Sequence, residues 1–417
     1  MSDIAWIDAA LTAARPKAVG ALLRYFRDLD IAEEAFQEAC LRALRTWPDK
    51  GPPRDPAAWL ILVGRNSGVD QIRKRGRLQA LPDEETISDR EDAEADIAER
   101  LDASNYRDDI LRLLFICCHP DLPATQQIAL ALRIVSGLSV SEIARAFLVS
   151  EAAMEQRITR AKAKVARAGV AFETPDVNAR AERLATVSTM IYLVFNEGYS
   201  QADPAREAAA FADEAIRLGR LLLGLFPGEP EIMGLLALML LHASRRAARL
   251  DTAGQIVLLE EQNRALWDRS QIDEALVLIE KAIRHGHAGS YQLQAAIAAL
   301  HARAATAAET DWPQIELLYR MLEHLQPSPV VTLNRAVAMS KAQGPEVALD
   351  LVETLSDALD GYFYFHGLRG NLLMQVGRKA EARIAFDRAI ALARSPAEAA
   401  HIRRQLDCLK QDGLPAT

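Results

Sequence analysis

Two short stretches carry the side chains with the most chemistry to offer. The first holds Arg65, Asn66, Asp70, Arg73, Lys74, Arg75 and Arg77. Guanidinium and ammonium groups neutralise phosphate. Asn66 and Asp70 stand four residues apart, so a helix sets them one turn apart on one face. There they can donate to and accept from bases, or orient the arginines. The second stretch holds Gln156, Arg157, Thr159, Arg160, Lys164 and Arg167. Arg and Gln on one helix face suit the base edges of a DNA major groove.

Other clusters are less suited to chemistry. His242, Arg245, Arg246, Arg249, Asp251 and Glu260 crowd beside an apolar run, where arginine–carboxylate pairs are expected to fasten helices. Cys117, Cys118 and His119 are adjacent. Three successive helical residues cannot all face one ion, and no second cluster completes four ligands, so a buried helix end is expected rather than a metal site. No Gly-rich phosphate loop, H-E-x-x-H or nucleophile elbow occurs. We therefore expect no enzyme activity, no cofactor and no metal.

The net charge of −8 and pI near 5.6 exclude nonspecific coating of DNA, so any basic surface must be local. The four cysteines form no paired framework, as in a reducing cytoplasm. The N-terminus lacks the basic start and apolar run of a secretory signal. No apolar run reaches the roughly 18 residues needed to span a bilayer. A cytoplasmic, soluble chain without membrane contact is expected.

The elements that must position these residues read as all-α. Ala, Leu, Arg and Glu abound and β-branched alternation is scarce. Residues 17–46 give one or two amphipathic helices with Leu22, Phe26, Ala35, Ala39 and Leu44 inward. A proline-rich loop follows from Trp47 to Pro56, then a helix from Ala57 to Arg75, with Trp59 packed beneath it. From Leu81 to Asp102 there are ten acidic residues and two arginines, the composition of a tether. Ser139 or Ser141 can cap a helix reaching Phe147, with Ile143 and Ala144 inward, and Ser150 can cap the next. On that second helix Met154, Ile158, Ala161 and Val165 form one apolar stripe. The pair fits a helix-turn-helix or an ordinary helical hairpin.

Near the C-terminus, Ala336, Gln343, Ala348, Val352 and Leu355 recur 34 residues later as Gly370, Gly377, Ala382, Phe386 and Ala389. Ala275, Ile279 and Ala282 repeat the same small–large–small spacing upstream. This period is the tetratricopeptide signature, degenerate here.

Several stretches resemble a known family. DIAEEAFQEACLRAL (Asp30–Leu44) resembles the D-x-E-D-x-x-Q-E helix of extracytoplasmic-function-type sigma factors. AWLILVGRNSGVDQIRKRGR (Ala58–Arg77) resembles their W-L-x-x-[IV]-x-x-N-x-x-x-D-x-x-R-[KR] helix. Ser139–Val165 stands where the family has its second DNA-binding unit. The resemblance implies that Glu34, Gln37 and Glu38 bind the clamp coiled coil of core RNA polymerase. It implies that Arg65, Asn66, Asp70, Arg73, Lys74 and Arg75 melt and read the −10 element, with the 47–56 loop capturing a base. It further implies that Gln156, Arg157, Thr159, Arg160 and Lys164 read the −35 element beside the polymerase flap. Cys40 and Glu155 depart from residues common in the family. LLFICCHPDLP (Leu113–Pro123), YLVFNEGYS (Tyr192–Ser200), EAIRLGRLL (Glu214–Leu222) and PSPVVTLNRAVA (Pro327–Ala338) resemble the subgroup with a large tetratricopeptide-like C-terminal extension.

The expected organisation is region 2 over 1–77, an acidic linker over 78–107, region 4 over 108–170 and a helical regulatory extension over 171–417. The linker would lie on basic polymerase surfaces through Asp83, Glu84, Glu85, Glu91 and Asp92. A loop of Asn196, Glu197 and Tyr199 would dock the extension on the other modules or on a protein partner. A free-standing helix-turn-helix regulator with a helical sensing domain is the other reading. Core polymerase would be needed for specific initiation in the first case, and unaided footprinting on duplex DNA marks the second.

Overall fold

The computed structural model describes residues 5–51, 53–74, 103–147, 149–167, 177–200, 206–251, 257–393 and 396–411. Among them the regular structure is helical and contains no strand. Two compact units divide the chain, residues 1–198 and 199–417. No helix among the described residues is long and apolar enough to cross a membrane.

The first unit opens with α1 (Ala5–Phe26), α2 (Leu29–Lys50) and α3 (Pro56–Lys74). Asp28 caps α2, its carboxylate accepting from the Asp30 and Ile31 amides. Leu22, Ala35 and Ala39 lie in the core with Leu23, Phe36 and Leu60. Phe26 is only half-buried, and Leu44 is 45% exposed. Leu44 fails as an inward residue because the buried stripe runs Ala32, Ala35, Phe36, Ala39, Ala43 and Trp47, one position to its side. α2 also runs further than the prolines suggest. Pro48 sits in its last turns, and the chain leaves the helix only at Gly51, whose φ of 80° few other residues adopt. The connection to α3 is therefore residues 51–55. Trp59 packs edge-on to buried Trp47 at 5.3 Å, a structural role as expected. Gly68 lets α3 approach α1 closely, since a Cβ there would strike the Phe26 ring.

α4 (Ala103–Cys117) packs against α1, and Gly20 admits the Asp109 backbone at the crossing. α5 (Ala124–Ala131) ends in a π-turn (Leu132–Ser136), closed by left-handed Gly137. α6 (Val140–Ala146) starts with a capping box in which Ser139 and Glu142 bond reciprocally. α7 (Glu151–Arg167) buries the Met154, Ile158, Ala161 and Val165 stripe, as its spacing predicts. The acidic tether falls outside the described residues apart from the start of α4.

α8 (Val177–Ser200) carries the chain from one unit to the next. The second unit is a series of antiparallel helices: α9 (Arg206–Leu225), α10 (Pro230–Ala243), α11 (Arg269–Ile283), α12 (Ser290–Arg303), α13 (Trp312–Leu325), α14 (Pro329–Gln343), α15 (Pro345–Glu353), short α16 (Ser356–Leu359), α17 (Phe363–Gln375), α18 (Lys379–Leu392) and α19 (Pro396–Gln411). α10 is apolar around its whole girth and correspondingly buried. Gly234 on α10 admits the backbone of α12, its built Cβ meeting Gln292 N at 2.6 Å. Of the residues of the 34-residue repeat, Gln343 and Gly377 are exposed, while the others lie in the contacts of two helix pairs. Ala336, Ala348 and Val352 are buried between α14 and α15, and Gly370 meets Phe386 where α17 crosses α18.

Candidate nucleic-acid interface

Two helices of the first unit present polar faces. On α3, Asn66 and Asp70 are both exposed, one turn apart, with Ser67 and Gly68 turned into the core. Arg65 is less free than its neighbours: its guanidinium stacks on Tyr25 at 4.2 Å, and its Nε is buried with no hydrogen-bond acceptor. Arg73 and Lys74 belong to the last turn of α3, but their side chains and the whole of Arg75 lie outside the described residues.

On α7, Gln156, Thr159 and Arg160 are exposed on the side opposite the apolar stripe. Arg157 leans over the Phe147 ring at 5.9 Å. Lys164 donates to the Asp121 carbonyl, which holds it at the edge of the face. Of the three α2 residues, Gln37 is exposed while Glu34 and Glu38 are half-buried. Asn196, Glu197 and Tyr199 do not form a loop. They continue α8, whose hydrogen-bonded turns run through Ser200 despite the Asn and Gly. Burial of Val194 and Phe195 offsets the weak helix propensity of Asn196 and Gly198.

The structure also joins residues that spacing could not connect. Glu33 of α2 is buried and receives cations from three other elements. Lys162 of α7 donates to it at 2.7 Å, Arg133 of the π-turn lies at 3.2 Å and Arg15 of α1 at 3.6 Å. Arg15 also donates to the carbonyls of Ile134 and Arg133 and stacks over Phe36. Lys162 has a second acceptor in Asp30 at 2.8 Å. Burial alone would lower the Lys162 ammonium, but its hydrogen bonds to Asp30 and Glu33 outweigh that and hold it above its usual value. Nearby, Asp109 holds Arg112 at 3.0 Å and Arg24 at 3.3 Å. α1 and α2 are thus welded to the π-turn and to α7. The one sequence signal was a carboxylate three residues before buried Phe36, which a helix turns inward. Its partners lie too far away in the chain for any periodicity to name.

Cys117 and Cys118 are buried free thiols, and burial pushes Cys118 up to about 12. No group of three metal-ligating residues occurs among the described residues.

Residues 11–78 match sigma-70 region 2, and residues 112–165 match sigma-70 region 4. An uncharacterized protein of Rhizobium meliloti (strain 1021) is 68% identical over 418 residues, spanning 100% of this chain and 98% of the relative. The chain belongs to the sigma-70 family. In this sigma-70 chain the region 2 match contains the α3 face, and the region 4 match contains α6 and α7 almost whole. Residues 183–283 match a family of unknown function (DUF6596), which covers most of α8 and all of α9 to α11.

Proposed function

We propose that this sigma-70 family member is a promoter-specificity subunit of the extracytoplasmic-function type, which binds core RNA polymerase and opens promoter DNA. The observation that carries this reading is the pairing of two exposed polar helix faces in one chain. One belongs to region 2 and bears Asn66 and Asp70. The other belongs to region 4 and bears Gln156, Thr159 and Arg160. Arg65, Arg73, Lys74 and Arg75 would neutralise phosphate around the −10 element, and Arg157 and Lys164 would border the −35 contact. Glu34, Gln37 and Glu38 would meet the polymerase clamp, and region 4 would sit by the flap.

The working division is region 2 over 1–77, linker over 78–107, region 4 over 108–170 and a tetratricopeptide-like extension over 171–417 that regulates initiation in cis. Asn196, Glu197 and Tyr199 would serve as its regulatory contact. Chemistry stays with the polymerase, and the chain itself acts in the cytoplasm as a binding protein. The test is co-elution of the full chain with core polymerase, together with footprinting. Stable co-elution and a promoter footprint only in the presence of core are expected. A footprint by the chain alone, with no co-elution, would favour a free-standing regulator.

A further inference from the structure

The second unit holds a set of cations that the first unit would have neutralised. Arg245 follows the end of α10 and donates to two uncharged groups, Tyr199 Oη at 3.1 Å and His242 Nδ1 at 3.3 Å. Arg249 lies flat on the Tyr199 ring at 3.8 Å and donates to the Tyr199 carbonyl. Among the described residues neither has a carboxylate partner. Arg246, between them in sequence, does have one, Asp213 at 2.8 Å. The difference is one of placement. Arg246 is exposed, whereas Arg245 and Arg249 are half-buried.

A second, independent feature lies in the same place. Trp267 is only 3% exposed, and its indole Nε1 has no acceptor among the described residues. Leaving such a donor unmade is unfavourable. The ring of Trp267 lies 5.9 Å from the Arg245 guanidinium and 5.2 Å from that of Arg264. Arg264 is otherwise engaged, since it donates to the His301 and Ala304 carbonyls at the end of α12 and to Thr310 Oγ1. Those carbonyls form the negative end of a helix, so Arg264 has a partner of sorts. Among the described residues Arg245 and Arg249 have only uncharged partners, and the unmade indole N–H belongs to the ring beside Arg245. Burial, together with Arg245, pushes the His242 imidazole down to about 3 and the His301 imidazole to about 4. Both rings are therefore neutral near pH 7 and can hydrogen-bond without adding charge.

We propose that Tyr199, His242, Arg245, Arg249 and Trp267 form a binding site for a small molecule carrying a carboxylate or phosphate group. An oxyanion would supply the negative charge that the two guanidiniums lack and the acceptor that the indole lacks, through charge-assisted hydrogen bonds. The aromatic walls, with the Tyr199 and His242 rings edge to face at 5.3 Å, suit an organic body beyond the anionic group. A nucleic-acid backbone is the wrong ligand, because the indole is buried and the two arginines are half-buried. The site belongs wholly to the second unit, so the inference goes beyond the transcription reading and does not depend on it.

Titration calorimetry on the full chain, with inorganic phosphate and with succinate as probes, tests this. Saturable binding of either probe is expected, and the preferred one identifies the anionic group. Arg245→Met should weaken binding by about tenfold or more, the loss of one charge-assisted contact. Arg246→Met should leave it within about twofold, because that side chain is exposed and already paired. Arg245→Lys guards against misfolding: it keeps the charge, loses the fork, and should bind with intermediate affinity. Absence of saturable binding for both probes would overturn the proposal. So would unchanged affinity in an Arg245→Met protein that melts like wild type. Polymerase takes no part in the assay, so its failure would leave the promoter reading untouched.

Discussion

The chain solves the problem of buried charge in two opposite ways. In the first unit, Glu33 and Asp30 face Arg15, Arg133 and Lys162, and the cations come from three separate elements. In the second unit, Arg245 and Arg249 face a tyrosine, a neutral histidine and an unsatisfied indole. Mutual neutralisation turns charge into a weld. Withheld neutralisation keeps a site ready for a ligand at some cost in stability, as binding sites commonly do. Near in sequence to the second cluster, Arg246–Asp213 and Lys341–Glu260 show that the extension does pair exposed cations. The gap at Arg245 and Arg249 is therefore local.

The comparison breaks most visibly at Glu33. Glu33→Ala removes the buried carboxylate shared by Arg15, Arg133 and Lys162, leaving Lys162 only exposed Asp30 and Arg15 only backbone carbonyls. Removing one partner of a buried ion network costs about 3–5 kcal/mol, so the first unit's transition in a urea melt should shift by that amount. A shift below about 1 kcal/mol, the value of a surface pair, would mean that the cluster is a solvated contact.

Acid should act next most strongly, and on the other unit. His242 and His301 are held below their usual value, so the folded unit keeps them neutral where the unfolded chain begins to bind protons. Stability from this source is complete above about pH 6.5, the reference value for histidine, and falls as pH drops toward 4. Melts of the second unit between pH 7 and pH 4 should show the decline. Its size stays below that of the Glu33 change because both rings are half-buried and solvent screens the neighbouring arginines. A flat profile would remove the claim that burial and the neighbouring arginines hold both rings neutral.

Arg245→Met should have the smallest effect, within about 1 kcal/mol of wild type and of either sign. Replacing an uncompensated half-buried cation by an apolar group loses two neutral hydrogen bonds and gains relief from repulsion. A loss as large as that of Glu33→Ala would place Arg245 in a structural weld like the first.

Local pattern made the helices legible, and with them the α7 stripe of Met154, Ile158, Ala161 and Val165. Resemblance made the family legible. Capping by Ser139 and the break between α2 and α3 could also be read, though the loop begins at Gly51 rather than at Trp47 because Pro48 is tolerated inside α2. Asn196 and Gly198 misled, since buried neighbours overrode their preference for a turn. The two charge centres were out of reach for a physical reason. Glu33 meets Lys162 across 129 residues, and Trp267 meets Arg245 from well beyond the reach of a helical period. Sequence grouped His242, Arg245, Arg246, Arg249, Asp251 and Glu260 and expected the arginines to pair with carboxylates, which among the described residues holds for Arg246 but not for Arg245 or Arg249.

The central claim is that this sigma-70 chain directs initiation through its α3 and α7 faces. Run-off transcription from a genomic fragment library, with core polymerase and the full chain, tests it most directly. Discrete start sites that vanish without the chain, and that weaken sharply with Asn66→Ala or Arg160→Ala, are predicted. Transcripts identical to those of core polymerase alone would contradict it.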